Sequence, residues 1–267
     1  MDEYRRTNVA LWNNWTALHA HSAYYDVEGF KAGKSTLTPI ELDEIGDVSG
    51  KSLLHLQCHF GLDTLSWARR GAHVTGVDFS DRAIELARSL AAELGIAARF
   101  VHSDIYDLPA KLRGGFDLVY TSYGVLYWLP DLRRWAEVIA HFLKPGGVFY
   151  IVEHHPFAAV FDSTDITQLQ VAYPYFHGPE PEQVESYGSY AASSDRFQGM
   201  QYGWDHTLSE VVNAVLATGL RLDHLHEFPH SDFPSLPNME RGDDGCWRLP
   251  GKFGNSIPLL FSLKATK

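Results

Sequence analysis

Five apolar runs, separated by amphipathic segments, dominate the pattern of hydrophobic and polar positions between residues 52 and 152. The segments between the runs carry apolar residues at helical spacing, as at Ala83, Ile84 and Ala87, and several end at a glycine. The runs predict strands at about 52–57, 73–78, 97–102, 116–121 and 148–152. Strands that alternate with helices in this way predict an α/β fold, in which a doubly wound, mostly parallel sheet has right-handed crossovers.

The pattern changes after the fifth strand. Residues 157–205 are rich in Pro, Gly, Ser and Tyr, and their one strand-like run is 166–173. A helical pattern returns at 208–216 and stops near Gly219. Two further strands, predicted at 221–227 and 257–263, complete a seven-stranded sheet.

The segment ahead of the sheet predicts helices of its own. Leu11, Trp15 and Leu18 are spaced as on one helix face, and Pro39 stands in the first turn of a second helix. The predicted organisation has an N-terminal helical lid, a main domain in two parts, and an insertion that caps a substrate site. These parts are residues 1–50, residues 51–156 with 206–267, and residues 157–205.

Composition narrows the class of partner. The chain has 267 residues, 45% of them hydrophobic, and a formal net charge of -11, so it lacks the basic surface of a nucleic-acid binder. It has no apolar run of about 18 residues and no signal-like N-terminus, so we predict no membrane partner and a cytoplasmic location. The two cysteines form no disulfide framework. We expect a small-molecule substrate, and the oligomeric state stays open.

One stretch carries most of the chemical information. The apolar run from Ser52 turns at Gly61 into a helical pattern, and a second apolar run ends in Asp78. Strand, turn, helix, strand and acid form the layout of a nucleotide-binding βαβ unit. The turn lets backbone N–H groups approach the negative end of a ligand, and the acid can accept hydrogen bonds from ribose hydroxyls.

Several blocks in the right order resemble the class I S-adenosylmethionine-dependent methyltransferases, in the small-molecule branch with domains of types 11, 12 and 25. They cover about residues 50–155 and are Leu54–Leu65, Val74–Ser80, Ser103–Ile105, Phe116–Thr121, Gly124–Asp131 and Leu143–Gly147. The resemblance implies a Rossmann-like fold and S-adenosylmethionine as cofactor, with S-adenosylhomocysteine as product. It also implies a small-molecule acceptor, methylated on oxygen or nitrogen rather than carbon.

The first motif departs from the family pattern acid-x-Gly-x-Gly-x-Gly. His55 stands at the acid, Gln57 and His59 stand at the first two glycines, and Gly61 remains. Glycines there permit positive φ and a close backbone approach. Either Gln57 and His59 take over part of the grip on the methionine carboxylate, or the cofactor site is lost. We favour the first interpretation because Asp78 and Asp104 are present.

The resemblance implies the remaining site residues. Asp78 would hold the ribose, Phe79 would pack on the adenine, and Asp104 and the Ile105 N–H would bind the adenine edge. The backbone of Thr121 would contact the methionine part of the cofactor. An oxygen or nitrogen acceptor needs a general base, and we predict His154 for this role, with His155 second. The predicted substrate-binding residues are His19, Tyr24, Tyr25, Tyr123, Tyr127 and Trp128.

Three alternatives stay open at this stage. The missing glycines also fit a methyltransferase-like protein that binds a nucleoside without turnover. An NAD-dependent oxidoreductase is disfavoured because the chain has no Gly-x-Gly-x-x-Gly. His224 and His226 share one face of a predicted strand, with His230 and Asp232 beyond them, which is also a pattern of metal ligands. Strand-face histidines are common, so we predict no metal.

Overall fold

The computed structural model describes residues 2–162, 169–192 and 197–267. Its helices within those ranges are α1 (Glu3–Ala20), α2 (Val27–Lys31), α3 (Pro39–Ile45), α4 (Leu62–Arg69), α5 (Asp81–Glu93), α6 (Leu108–Lys111), α7 (Leu132–Phe142) and α8 (Leu208–Leu216). Its strands are β1 (Ser52–Leu56), β2 (His73–Asp78), β3 (Ala98–His102), β4 (Phe116–Ser122), β5 (Leu143–His154), β6 (Glu182–Tyr187), β7 (Gln198–Gly203), β8 (Arg221–Phe228), β9 (His230–Ser231), β10 (Glu240–Arg241), β11 (Trp247–Arg248) and β12 (Leu260–Thr266). No helix in these ranges is long and apolar enough to cross a membrane.

The main sheet has seven strands in the order β3-β2-β1-β4-β5-β12-β8. The first five strands along the chain pair in parallel, and β12 pairs antiparallel with both β5 and β8. The predicted seven-stranded, mostly parallel sheet is therefore confirmed. The last strand begins at Leu260 rather than at Ile257, because Pro258 has no N–H to donate to a neighbouring strand.

Helices cover both faces of the sheet. Alternate residues of each strand point to opposite faces, so Leu54 and Val119 pack in a core that includes residues of α7 and α8. Tyr120 and Tyr150 belong to the core on the other face, where Trp67 of α4 is fully buried. This layering leaves the carboxyl ends of the parallel strands as the open edge where ligands bind in doubly wound folds.

The N-terminal helix α1 is joined to the segment that follows β5. The Asn8 amide donates to the Tyr202 carbonyl oxygen at 2.7 Å and accepts from the Tyr202 N–H at 2.9 Å. The Trp15 Nε1–H donates to the Gly188 carbonyl oxygen at 2.7 Å. Residues 182–187 and 198–203 form an antiparallel hairpin. The helix and the hairpin together flank the open edge of the sheet.

Part of one predicted strand cannot be compared with the structure. Within the run 166–173, residues 166–168 lie outside the described residues. The described remainder contributes one isolated bridge, between Val171 and Phe161. The hairpin of β6 and β7 lies outside that run, and its mixed composition gave no clear alternation in the sequence.

A buried acid joins α3 to the sheet. Glu41 is fully buried, and its carboxylate accepts from the Thr38 N–H at 2.7 Å and from the Tyr120 hydroxyl. Burial, reinforced by the charge of Asp63, raises the pKa of Glu41 to about 8. Glu41 is therefore protonated in the folded chain near neutral pH, whereas it ionises in the unfolded chain near pH 4.5.

Replacing Glu41 with Gln should change the pH dependence of stability. The bound proton stabilises the fold fully below about pH 4.5, and this contribution is lost as the pH rises through about 8. Between these pH values, the free energy of unfolding of the wild type should fall by roughly 1.4 kcal/mol per pH unit more than that of Glu41→Gln. Urea unfolding at several pH values measures this difference, and the exposed Glu85→Gln is the matched control. Parallel curves for wild type and Glu41→Gln would contradict a buried, protonated Glu41.

Candidate functional site

A cavity of about 1680 Å³ lies at the open edge of the sheet. Its wall takes residues from the carboxyl ends of β1, β2, β4 and β5, from α1, and from the hairpin of β6 and β7. Both the strand ends and the N-terminal segment therefore face one space. The volume is enough for a nucleotide-sized cofactor together with a small organic molecule.

The turn after β1 is held in an unusual backbone conformation. Gln57, His59 and Gly61 have φ values of 56°, 49° and 80°, all in the left-handed region that favours glycine. A side chain at Gly61 would place its Cβ 2.6 Å from the Phe100 ring, so the one remaining glycine is also required by packing. The turn keeps the glycine-type backbone at two positions where the residues are not glycine.

The side chains of this turn leave two buried polar atoms free. The Gln57 Nε2 donates to the Val125 carbonyl oxygen at 3.0 Å, and His59 Nε2 lies 2.8 Å from His19 Nδ1. Gln57 Oε1 and His59 Nδ1 are buried and have no hydrogen-bond partner among the described residues. Buried polar atoms are nearly always paired, so both atoms are suited to a bound ligand.

The histidines of the turn are neutral. Burial lowers the pKa of His55 to about 3, and its Nδ1 lies 2.8 Å from the Thr64 hydroxyl. Burial, with a smaller effect of His19, lowers the pKa of His59 well below its usual value. His55 therefore does not replace the acid of the family pattern with a charge, and His59 offers a hydrogen bond rather than a cation.

Asp78 at the end of β2 ties two turns together. Its carboxylate accepts from the His59 N–H and from the Ser80 N–H, both at 2.8 Å. Burial raises the pKa of Asp78 to about 6, although the two N–H donors oppose the rise. Asp78 and the neighbouring Phe79 both line the cavity.

Asp104 is already paired. Its carboxylate accepts from the Tyr106 N–H at 2.9 Å and from Arg5 Nη1 at 2.9 Å. Arg5 belongs to α1 and also pairs with Asp2 at 2.9 Å. Asp104 and Ile105 line the cavity. One Asp104 oxygen is already bound by the Arg5 guanidinium, a contact that the sequence did not indicate.

Thr121 does not line the cavity. Its side chain is fully buried and donates to the Leu56 carbonyl oxygen at 3.0 Å. The wall begins one residue later, at Ser122, and continues through the predicted Tyr123. The Tyr123 hydroxyl lies 3.0 Å from the Thr38 hydroxyl, which joins this loop to the start of α3.

Glu153 fixes the loop after β4. Its carboxylate accepts from the N–H groups of Gly124, of Val125 at 2.7 Å, and of Leu126 at 3.2 Å. It also accepts from the His154 N–H at 2.7 Å. Because one buried side chain binds four main-chain donors, the loop and the end of β5 form one unit.

The two predicted bases are in different places. His154 lines the cavity, beside the Tyr123 ring, and its side chain forms no hydrogen bond within the described ranges. His155 lies outside the cavity wall and is only 5% exposed. Its Nε2 pairs with Glu227 at 2.9 Å, and its Nδ1 accepts from the Phe157 N–H at 3.1 Å. Both ring nitrogens of His155 are engaged, so the prediction of His155 as an alternative base is not supported.

Aromatic rings form much of the cavity wall. Of the residues predicted to bind substrate, Tyr24, Tyr25, Tyr127 and Trp128 line the cavity, whereas His19 lies behind the wall and is fully buried against His59. Further aromatic residues that the sequence did not assign to the site also belong to the wall, among them Trp12, Tyr190 and Phe233. They meet the predicted rings edge to face, as Trp12 meets Trp128 at a centroid distance of 5.2 Å.

Asp63 is another residue of the wall that the sequence did not assign to the site. It stands in the first turn of α4, where it accepts from the Thr36 hydroxyl at 2.5 Å and from the Ser122 hydroxyl at 3.2 Å. Burial raises the pKa of Asp63 above its usual value. The signal for it was an acid two residues after Gly61, at the helix N-terminus that faces the ligand edge.

Comparisons with known proteins agree with this geometry. Residues 53–147 match a family described as a methyltransferase domain. The ubiquinone biosynthesis O-methyltransferase of Cronobacter sakazakii is 33% identical over 134 residues, which are 48% of this chain and 55% of that protein. The enzyme of the same name from Xylella fastidiosa is 31% identical over 151 residues, 55% of this chain and 59% of that protein. The chain therefore spans somewhat over half the length of these relatives.

Solved structures share the fold. An S-adenosylmethionine-dependent methyltransferase from Mesorhizobium loti has a TM-score of 0.58 and 20% identity, covering 89% of this chain and 100% of that chain. A glycopeptide N-methyltransferase complexed with sinefungin has a TM-score of 0.56 and 16% identity, covering 87% of each chain. Three observations point to the same fold: the order of the strands in the sheet, the acid at the end of β2, and the family match over residues 53–147. This chain thus has the fold of the class I S-adenosylmethionine-dependent methyltransferases, and its residues 53–147 match a methyltransferase domain.

Proposed function

We propose that the chain transfers a methyl group from S-adenosylmethionine to an oxygen or nitrogen atom of a small molecule. The observation that carries this proposal is Asp78, a buried carboxylate at the end of β2 that faces a cavity beside a glycine-type turn. The similarity to ubiquinone biosynthesis O-methyltransferases supports a small-molecule acceptor. When bound, the cofactor supplies a methyl group on a positively charged sulfur.

The ribose and the amino-acid end of the cofactor have separate candidate partners. Asp78 accepts from the ribose hydroxyls, and Phe79 packs beside the adenine. Gln57 Oε1 and His59 Nδ1 are both buried without a partner among the described residues, and they bind polar atoms of the amino-acid end. The Gln57 Nε2–H already donates to Val125, so the free Oε1 accepts from the ammonium group and does not bind the carboxylate as the sequence predicted. Because the His55 position provides no carboxylate, Asp63 supplies the negative charge for the cofactor's ammonium group.

The adenine end requires a change at Asp104. The adenine amino group donates to Asp104 and the ring accepts from the Ile105 N–H. Arg5 competes for the same Asp104 oxygen, since its Nη1 lies 2.9 Å from Oδ2. Binding of the cofactor is therefore coupled to the position of α1, because Arg5 lies on that helix.

His154 acts as the general base. It lies on the cavity wall at the end of β5, and its neighbour Glu153 holds both its main-chain N–H and the loop after β4. One imidazole nitrogen takes the proton from the hydroxyl or amine of the acceptor. The aromatic wall orients a planar acceptor and excludes water. Alignment of the acceptor and exclusion of water are the main requirements for in-line methyl transfer.

Nucleoside binding without turnover is the second candidate. The observation that favours it is the left-handed turn at Gln57 and His59, whose side chains occupy space that glycines would leave open. Binding of S-adenosylhomocysteine, without methyl transfer to any member of a broad metabolite panel, would favour this candidate. Binding of NADH in place of both sulfur nucleosides would instead support the oxidoreductase alternative.

Removing the charge of Asp78 should weaken cofactor binding. We expect Asp78→Asn to bind S-adenosylhomocysteine roughly tenfold or more weakly, since a hydrogen bond to a charged group contributes about 1.5–3 kcal/mol. In the wild type, affinity should also fall as the pH is lowered through about 6, where Asp78 takes up a proton. Titration calorimetry measures both effects, and the Asn variant should lack the step near pH 6.

Asp107→Asn is the matched control, because Asp107 is exposed and lies outside the cavity wall. Equal affinity in all three proteins would remove the main support for the proposed cofactor site. Thermal unfolding of each variant shows whether a loss of binding follows from loss of the fold.

Removing the imidazole of His154 should slow transfer without weakening cofactor binding. We expect His154→Gln to reduce kcat by a factor of about 10²–10⁴, the usual contribution of a general base. The rate is measured as S-adenosylhomocysteine formed with an acceptor identified from the metabolite panel. His141→Gln, an exposed position on α7, should keep the wild-type rate. If His154→Gln keeps the wild-type rate, His154 is not the general base.

A further inference from the structure

A group of three metal-ligating side chains joins α3 to the edge strand β8. Glu44 of α3 lies against His224 and His226, which are two residues apart on β8 and so share one face of the strand. Glu44 Oε1 is 2.6 Å from His226 Nδ1, and Glu44 Oε2 is 3.6 Å from His224 Nε2. One ligand atom from each side chain lies within 4.8 Å of the other two.

The two imidazoles lie side by side, and one of them must turn to share a ligand with the other. Their rings are stacked, with centroids 4.2 Å apart and planes 6° from parallel, so the exposed His226 ring has to rotate before both in-plane lone pairs point at one ion. His224 Nε2 is a buried atom with no hydrogen-bond partner among the described residues, because 3.6 Å from Glu44 Oε2 is too long for a hydrogen bond. Part of the donor set is therefore unsatisfied, although a carboxylate and a second imidazole are next to it.

We propose that Glu44, His224 and His226 bind one divalent cation of the zinc class, which replaces the prediction of no metal made from the sequence, where the contribution of Glu44 could not be seen. Two imidazoles and one carboxylate form a ligand set that Zn²⁺ takes in tetrahedral sites, with water in the fourth position. The set offers two nitrogen ligands and only one carboxylate, so it discriminates against Ca²⁺ and Mg²⁺, which need more oxygen ligands. This inference does not rest on the proposed methyltransferase activity.

The surroundings orient the carboxylate and limit the affinity. The Tyr150 hydroxyl donates to Glu44 Oε2 at 2.8 Å, which is the kind of outer contact that fixes a ligating group. The Lys264 ammonium lies nearby and donates to the Glu44 carbonyl oxygen at 2.8 Å. Its positive charge opposes the cation, so the site is expected to be weaker than a closed structural zinc site.

The ion would connect distant parts of the chain. Glu44 belongs to the N-terminal segment, and the two histidines lie about 180 positions later, as the Glu44–His226 separation of 182 shows. Glu44 and Phe228, the residue that ends β8, both line the cavity. The ion would therefore hold one wall of the cavity in place, which stabilises the folded chain by binding it in preference to the unfolded chain.

Zinc titration of the metal-free chain tests the proposal. The chain is treated with a chelator, dialysed, and titrated with Zn²⁺ alone in a calorimeter, and Co²⁺ is added in parallel to give a visible absorption spectrum. We expect one ion per chain, a Co²⁺ spectrum of tetrahedral type, and a rise in Tm of several degrees with Zn²⁺. Mg²⁺ at the same concentration should produce no rise.

Variants of two proposed ligands, with one control variant, test whether the ion binds at this site. His224→Ala and Glu44→Gln should each lower Zn²⁺ affinity more than tenfold and abolish the rise in Tm. Glu44→Gln keeps an oxygen for Tyr150, so it preserves the fold if the alanine variant does not. His73→Ala, an exposed histidine at the start of β2, is the matched control and should bind as the wild type does. No binding by the wild type, or equal binding by all variants, would overturn the proposal.

Discussion

The carboxylate of Asp78 accepts hydrogen bonds from the main-chain N–H groups of His59 and Ser80, and the rest of the site depends on this contact. It connects the turn after β1 with the turn after β2, so the left-handed residues Gln57 and His59 are held in a conformation that non-glycine residues rarely adopt. The same contact keeps the carboxylate buried and facing the cavity. One side chain thus sets both the shape of the turn and the position of the predicted ribose acceptor.

The substitutions in the first motif change the chemistry of the turn while keeping its backbone. His55 is buried, His59 is half-buried, and both are neutral, so the turn offers directed hydrogen bonds instead of an acid and open backbone. Asp63, in the first turn of α4, places a carboxylate on the same wall, held by Thr36 and Ser122. The loss of the family's acid and two glycines is therefore compatible with a cofactor site that has been rebuilt from neighbouring side chains.

The sequence was informative where local pattern decides structure. Apolar runs predicted the sheet. The position of Asp78 at the end of the second run predicted that it lies at the open edge, because strand ends in a doubly wound sheet share one edge. Pairs far apart in sequence left no such signal. Arg5 with Asp104, His155 with Glu227, and Glu153 with the loop after β4 depend on how α1, β8 and β5 meet. His155 illustrates this limit. Its place in the sequence suggested that it lies beside the site, but its side chain pairs with Glu227 outside the cavity wall.

The most direct measurement is a crystal structure of the chain with S-adenosylhomocysteine. We expect the ribose hydroxyls to lie within hydrogen-bond distance of Asp78, the amino-acid end to lie against Gln57, His59 and Asp63, and Arg5 to have left Asp104. A nucleoside bound away from the ends of β1 and β2, or a ribose without contact to Asp78, would contradict a cofactor site organised by that carboxylate.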